Sequence, residues 1–200
     1  MRIKSQWFRD GQPKSAVEIA GAAAFIAWRV AHNAVKTMRA AKYELAPGPQ
    51  YFAFVAEFLA FLVVAADRVA YAHGDAAWRT EFTTAMANRA GETLADNETE
   101  LLGAASPGEI KRRFVALVNE RAADYAHFDW TDDGPDYGML RYLGHRVAEV
   151  MAEDEQSWAV AQVIECEAPE AAATLRRGMT GLLGLEPGRR TRGERAAAGE

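Results

Sequence analysis

The sequence predicts an all-α, single-domain antiparallel bundle of six or seven helices, with a short N-terminal arm and a disordered C-terminal tail. Long apolar segments alternate with short clusters of proline and glycine, which favours helices joined by short connections. No pair of segments has the alternation and turn residues of a β-hairpin. We expect the bundle domain to span residues 1–185 and the flexible, Arg/Gly-rich tail to span residues 186–200.

The first helix is predicted from a start signal and a stop signal. Ser15 and Glu18 have the spacing of a capping box, in which each side chain satisfies a backbone donor at the helix start. The helix should then run to about Glu44, because the Pro-Gly-Pro segment 47–49 cannot continue it. Before it, residues 1–12 form the arm. We expect three apolar side chains of the arm to pack on the bundle: Ile3, Trp7 and Phe8.

The second helix, from about residue 50 to 72, contains the most apolar segment of the chain. Residues 51–66 have the sequence YFAFVAEFLAFLVVAA, with Glu57 as the one charge. The segment is shorter than the roughly 20 residues needed to cross a bilayer, and no side of it is polar. We therefore expect a helix buried on all sides at the centre of the core, and no membrane association.

The third and fourth helices have clear termini. Asp75 is a candidate N-cap for the third helix, which ends at Asn97 or Gly103. The Ser-Pro-Gly-Glu segment 106–109 has the spacing of a second capping box, with proline at the first helical position, where its missing donor is harmless. The fourth helix should extend from this segment to about Phe128.

The remaining helices follow a polar connection. Residues 132–135, Asp-Asp-Gly-Pro, predict a plain loop before a fifth helix over about 136–151. A sixth helix begins near Asp154. Pro169 either kinks it or starts a seventh helix that ends around Gly184.

Charge and cysteine content restrict the class of protein. The net charge of −5 argues against a nucleic-acid-binding surface, which is normally basic. The one arginine-rich segment is the tail, whose lack of an apolar period is typical of a solvated chain end. The single cysteine, Cys166, excludes an intramolecular disulfide and favours a reducing compartment. We therefore expect a cytoplasmic protein.

Glu57 needs a partner, because an unpaired buried carboxylate is very costly. Asn33 and Thr37 lie on the otherwise apolar face of the first helix. If the first two helices form an antiparallel hairpin about residue 47, Glu57 lies level with Thr37. We therefore expect a buried cluster of Glu57, Asn33 and Thr37. It either fixes the helix register or lines a ligand pocket.

One weak candidate for a metal site is present. Asp124 and His127 have the helical spacing that carboxylate-bridged metal bundles use, but such bundles need a second pair on another helix. The possible second contributor, His145, points away from its apolar stripe. We therefore predict no metal and no cofactor.

Exposed aromatic residues indicate two candidate partner surfaces. Phe25 and Trp28 lie on the face of the first helix opposite its main apolar stripe. Trp130, Tyr137 and Tyr142 cluster around the aspartate-rich loop. Such surfaces either pack loops against the body or bind a partner.

These patterns favour a cytoplasmic helical interaction or scaffold protein without a catalytic motif. A protein partner or self-association into a homo-oligomer would use the apolar helix faces. The alternative is a helical-bundle enzyme or small-ligand binder with its pocket beside Glu57. A third possibility is a metal-binding bundle of carboxylate and histidine ligands.

Overall fold

The computed structural model describes residues 14–71, 73–103, 106–131 and 133–185. Within these ranges the chain forms seven α-helices, and the predicted all-α fold class is confirmed. The helices are α1 (Ala16–Ala40), α2 (Pro49–Ala70), α3 (Ala76–Leu102), α4 (Pro107–Tyr125), α5 (Tyr137–Ala148), α6 (Gln156–Gln162) and α7 (Ala168–Leu183). None of the described helices is long and apolar enough to cross a bilayer. The predicted arm, with Ile3, Trp7 and Phe8, and the predicted tail, residues 186–200, lie outside the described residues.

Helix α2 is the centre of the core, as its sequence predicts. It packs against α1, α3, α4, α5 and α7, so that every side of it faces another helix. Phe54, Phe58 and Phe61 are completely buried. Removing so much aromatic surface from water provides a large share of the hydrophobic stabilisation.

Of the two predicted capping boxes, the one at the start of α1 is formed and the one at the start of α4 is not. At the start of α1, the Glu18 backbone N–H donates to Ser15 Oγ over 3.2 Å, and the Ser15 N–H donates to Glu18 Oε2 over 2.9 Å. At the start of α4 the prediction is wrong, because the Ser106 side chain makes no capping hydrogen bond. There the backbone N–H of Glu109 donates to the Ser106 carbonyl over 2.9 Å, and Pro107 starts the helix.

The predicted plain loop before α5 contains a short antiparallel ladder. Strand β1 (Trp130–Thr131) pairs with β2 (Gly134–Pro135), with Trp130 opposite Pro135. Gly134 has a φ of +125°, a conformation that other residues rarely adopt. The Thr131 hydroxyl donates to the Gly134 carbonyl over 3.2 Å. The turn thus closes with two residue pairs, too few to form a sheet that affects the all-α class.

A π-helical turn, Val163–Glu167, joins α6 to α7 without a break. In it, the N–H of Ala168 donates to the carbonyl of Val163, five residues back. Pro169 follows, and because proline has no N–H it cannot make the regular α-helical bond to Glu165. The predicted kink or restart at Pro169 therefore takes the form of a wider turn, a feature that is frequent at functional sites.

A matched pair of phenylalanines tests the central position of α2. Phe61 is completely buried, whereas Phe25 on α1 is 46% exposed. We expect Phe61→Ala to lower the free energy of unfolding by about 3–5 kcal/mol, because it leaves a cavity in the core. Phe25→Ala should lower it by about 1 kcal/mol or less. Urea denaturation followed by circular dichroism measures both, and equal losses would contradict the described packing.

Candidate functional site

A groove of about 790 Å³ lies between α1 and α7, and it is hereafter called the α1–α7 groove. Helix α1 contributes Phe25, Ile26 and Trp28 to its lining, and α7 contributes Ala171 and Leu182. Its volume lies within the range of roughly 300–1,000 Å³ that is typical of ligand sites in proteins. The groove is open to solvent and mostly apolar, with Phe25 exposed at its side.

The two walls of the groove carry opposite charges. Arg29 and Lys36 line it from α1. Glu167, at the end of the π turn, and Glu170, in the first turn of α7, line it from the other side. A molecule that fills the groove therefore meets cations on one wall and carboxylates on the other.

Aromatic contacts hold the α1 wall in place. The Trp28 and His32 rings lie with their centroids 4.6 Å apart, and the Tyr51 hydroxyl is 2.9 Å from His32 Nε2. Burial lowers the pKa of His32, with smaller contributions from the charges of Lys36 and Arg39. His32 thus contacts both Tyr51 and Trp28, and this contact favours one position of the Trp28 ring in the wall.

Glu167 is the most buried ionisable side chain of the groove, with 3% of its surface exposed. Gln162 Nε2 donates a 3.0 Å hydrogen bond to Glu167 Oε1. Among the described residues this amide is its only hydrogen-bond partner, and no ion pair involves it. Burial raises the pKa of Glu167; the Gln162 bond opposes this rise, and the nearby Glu170 charge adds to it.

Glu57 does not form the predicted cluster with Asn33 and Thr37. Arg121 on α4 donates to both of its oxygens, from Nε over 2.9 Å and from Nη2 over 2.8 Å. Asn33 is exposed, and the Thr37 hydroxyl donates to the Asn33 backbone carbonyl over 3.0 Å. The prediction was wrong because a cation 64 positions along the chain satisfies the carboxylate, and neither α1 side chain faces it.

The Glu57–Arg121 ion pair continues into a polar network. Arg121 Nη1 lies 2.6 Å from Glu120 Oε1 and 3.5 Å from Asp124 Oδ2, and the Tyr142 hydroxyl on α5 donates to Asp124. The hydrogen bonds to Glu57 are the main reason that the pKa of Arg121 is raised. Burial, followed by the Asp124 contact, raises the pKa of Tyr142 to about 12. The network thus connects α2, α4 and α5.

A smaller cavity of about 390 Å³ lies beside Glu57. Phe52, Phe114 and Glu98 are among the residues that line it. Arg113 Nη2 donates to both oxygens of Glu98, over 2.8 and 2.9 Å. Both carboxylates at this cavity, Glu57 and Glu98, are therefore already paired with an arginine.

The two predicted partner surfaces have different surroundings. Phe25 and Trp28 line the α1–α7 groove. Tyr142 takes part in the Arg121 network, and its ring lies 5.0 Å from that of Tyr125. Trp130 is half-buried in β1, and Tyr137 is 66% exposed.

The weak metal candidates do not meet other ligands. Asp124 accepts the Tyr142 hydroxyl and lies near Arg121, whereas His127 and His145 are exposed. In the part of the chain that the structure describes, no group of three or more histidine, cysteine or acidic residues could hold a metal ion.

Glu167 was not among the residues predicted from the sequence, although the sequence contains one signal for it. Val163, Glu167, Ala171 and Leu175 are spaced four residues apart, and all four are buried. This spacing puts a carboxylate within the buried stripe of the last helical segment. The position resembles that of Glu57, but Glu167 lies in a less continuous apolar segment.

A double-mutant cycle tests the Glu57–Arg121 ion pair. We expect Glu57→Met and Arg121→Met each to lower the free energy of unfolding by about 3–5 kcal/mol, because each strands a buried charge. The double variant should lose far less than the sum.

The control is the same cycle at Glu98 and Arg113. The Arg113 side chain is 64% exposed, so the coupling energy there should be about 1 kcal/mol or less. Chemical denaturation measures all six variants. Additive losses at Glu57 and Arg121 would show that the two side chains do not interact.

No protein-family model matches this chain, and no curated protein or solved structure shows significant similarity to it.

Proposed function

We propose that this protein is a helical interaction protein that docks an amphipathic helix of a partner protein in the α1–α7 groove. The observation that carries the proposal is an open, mostly apolar groove with exposed aromatic surface on a helix that already packs into the core on its other side. Grooves of this kind bind the apolar face of a helix through anchors spaced three or four residues apart.

Phe25 and Trp28 are the expected anchors of the interface. Phe25 is nearly half exposed, and the Trp28 ring is held by His32. Large aromatic side chains in a preformed pocket contribute much of the free energy of binding in protein interfaces. Holding Trp28 in place before binding also reduces the entropy lost on association.

The charges on the walls favour one orientation of the partner helix. Arg29 and Lys36 on the α1 wall attract acidic residues, and Glu167 and Glu170 on the other wall attract basic ones. A helix with acidic residues along one flank and basic residues along the other satisfies both walls. Such complementarity contributes more to specificity and association rate than to affinity.

The alternative, a ligand binder with its pocket beside Glu57, has less support. A cavity is present there, but the arginines already bound to Glu57 and Glu98 leave neither carboxylate free for a ligand. For the metal-binding hypothesis, the described residues contain no group of three or more histidine, cysteine or acidic side chains that could hold an ion. We keep the cytoplasm as the proposed location on the basis of the single cysteine.

Site-specific photo-crosslinking in the native host tests the proposal. A photoreactive benzoylphenylalanine at Phe25 should capture one partner, with the crosslink in an amphipathic helix of that partner. The same group at Tyr71, which is 68% exposed and outside the lining of the groove, is the control and should not capture it.

The captured partner is then purified and titrated against the intact protein. Phe25→Asp should weaken binding by about tenfold or more, since it removes an anchor from the interface, whereas Tyr71→Asp should not. Equal crosslinking at both sites, or unchanged affinity of Phe25→Asp, would refute docking in this groove. A crosslink between two copies of this chain would show that the groove binds a second copy and not a separate partner protein.

A further inference from the structure

Three glutamates are buried among the described residues, and one of them lacks a cation. Glu57 is 8% exposed and is bound by Arg121, and Glu98 is 8% exposed and is bound by Arg113. Glu167 is 3% exposed, and its one hydrogen-bond partner within the described ranges is the Gln162 amide. Burying a carboxylate costs free energy that a single neutral hydrogen bond does not recover.

The groups around Glu167 do not supply the missing cation. Gln162 on α6 is neutral, and Glu170 on α7 carries the same charge as Glu167. From α1, the cations Arg29 and Lys36 line the same groove, but both are exposed and neither forms an ion pair with Glu167. The groove therefore holds a buried carboxylate whose charge nothing in the described chain balances.

We propose that Glu167 is the binding site for a lysine or arginine side chain of the docked helix. This inference rests on the proposed function and names the partner residue that the groove selects. The ammonium or guanidinium group would donate to the Glu167 carboxylate, as Arg121 and Arg113 donate to theirs.

The surroundings of Glu167 suit a long basic side chain. The groove is mostly apolar, so the methylene stem of a lysine or arginine can pack along its wall while the charged head reaches the carboxylate. The π turn places Glu167 at the lining of the groove and at the same time within the buried stripe of α6 and α7. A basic side chain of the partner would thus gain both a charge-assisted hydrogen bond and apolar contact.

The test uses n-butylguanidinium and n-butylammonium as mimics of the two side chains. Their binding to the full-length protein is followed by NMR through the Trp28 indole N–H, which is assigned by its loss in Trp28→Phe. Butyrate is the control probe of opposite charge. We expect both cations, but not butyrate, to shift the Trp28 signal with saturation.

Glu167→Gln should weaken the affinity for n-butylguanidinium by about tenfold or more, because it removes the charge that strengthens the hydrogen bond. Glu165→Gln is the matched control, since Glu165 is an exposed glutamate of the same π turn and does not line the groove. It should leave the affinity unchanged. The affinity of the wild-type protein should also rise with pH as Glu167 becomes ionised.

A second variant covers the case in which Glu167→Gln fails to fold. Thr174→Lys adds a cation to the same wall of the groove and should compete with the probe, whereas Thr174→Met adds similar bulk without charge and should not. Equal affinities of Thr174→Lys and Thr174→Met, or of Glu167→Gln and Glu165→Gln, would overturn the assignment. So would the absence of any saturable shift with either cation.

The crosslinking and probe-binding experiments distinguish failure of the cation site from failure of helix docking. Specific crosslinking at Phe25 without Glu167-dependent binding of the probes would leave the docking groove in place and remove the cation site. Glu167-dependent binding of the probes without a captured helix would retain the cation site and refute helix docking.

Discussion

The buried ion pair between Glu57 and Arg121 is the interaction on which the arrangement of the central helices depends. Residues 51–66 of α2 are apolar on every side, so Glu57, the one carboxylate of this segment, specifies where one other helix must lie. The two-pronged contact from Arg121 aligns α4 with α2, and the Asp124–Tyr142 hydrogen bond extends this alignment to α5. A buried ion pair of this kind contributes little net stability compared with apolar residues, and its attested use is to specify one register.

The α1–α7 groove lies where α7 packs beside α1. There the π turn before Pro169 places Glu167 in a buried position at the lining of the α1–α7 groove. Unlike Glu57 and Glu98, Glu167 is bound by no arginine in the part of the chain that the structure describes. A buried carboxylate needs a cation; an arginine of the chain supplies it at Glu57 and at Glu98, and we propose that a basic side chain of the partner supplies it at Glu167.

Much of the fold follows from local patterns in the sequence. The apolar segment 51–66 predicts the central helix because no side of it is suited to water, and the Ser15–Glu18 spacing predicts a capping box that is formed. The partner of Glu57 does not follow from these local patterns. Whether Arg121 or the α1 side chains Asn33 and Thr37 reach the carboxylate depends on how helices distant in sequence pack together.

The α1–α7 groove likewise combines features that the sequence predicts with others that depend on how the helices pack. The aromatic residues Phe25 and Trp28 are recognisable from their helical face, since they lie opposite the main apolar stripe of α1. The sequence predicted that Glu57 has neutral hydrogen-bonding partners. In the structure, the buried glutamate with a neutral partner is Glu167, which accepts a hydrogen bond from the Gln162 amide. Glu167 is the last residue of the π turn, which widens the helix by one residue. Apart from Pro169, the sequence has no recognised signature of this turn.

The most direct test of this account is the pH titration of the Glu167 side-chain carboxyl carbon by NMR in the intact, unliganded protein. If Glu167 is buried without a cation, its pKa lies above the ordinary value of 4.5. Its contribution to the free energy of unfolding is then greatest below the unfolded-state pKa and declines as the pH rises through the folded-state pKa. Addition of n-butylguanidinium should lower the pKa again. A pKa at or below 4.5 in the unliganded protein would show that the chain already supplies the cation, and would contradict the account.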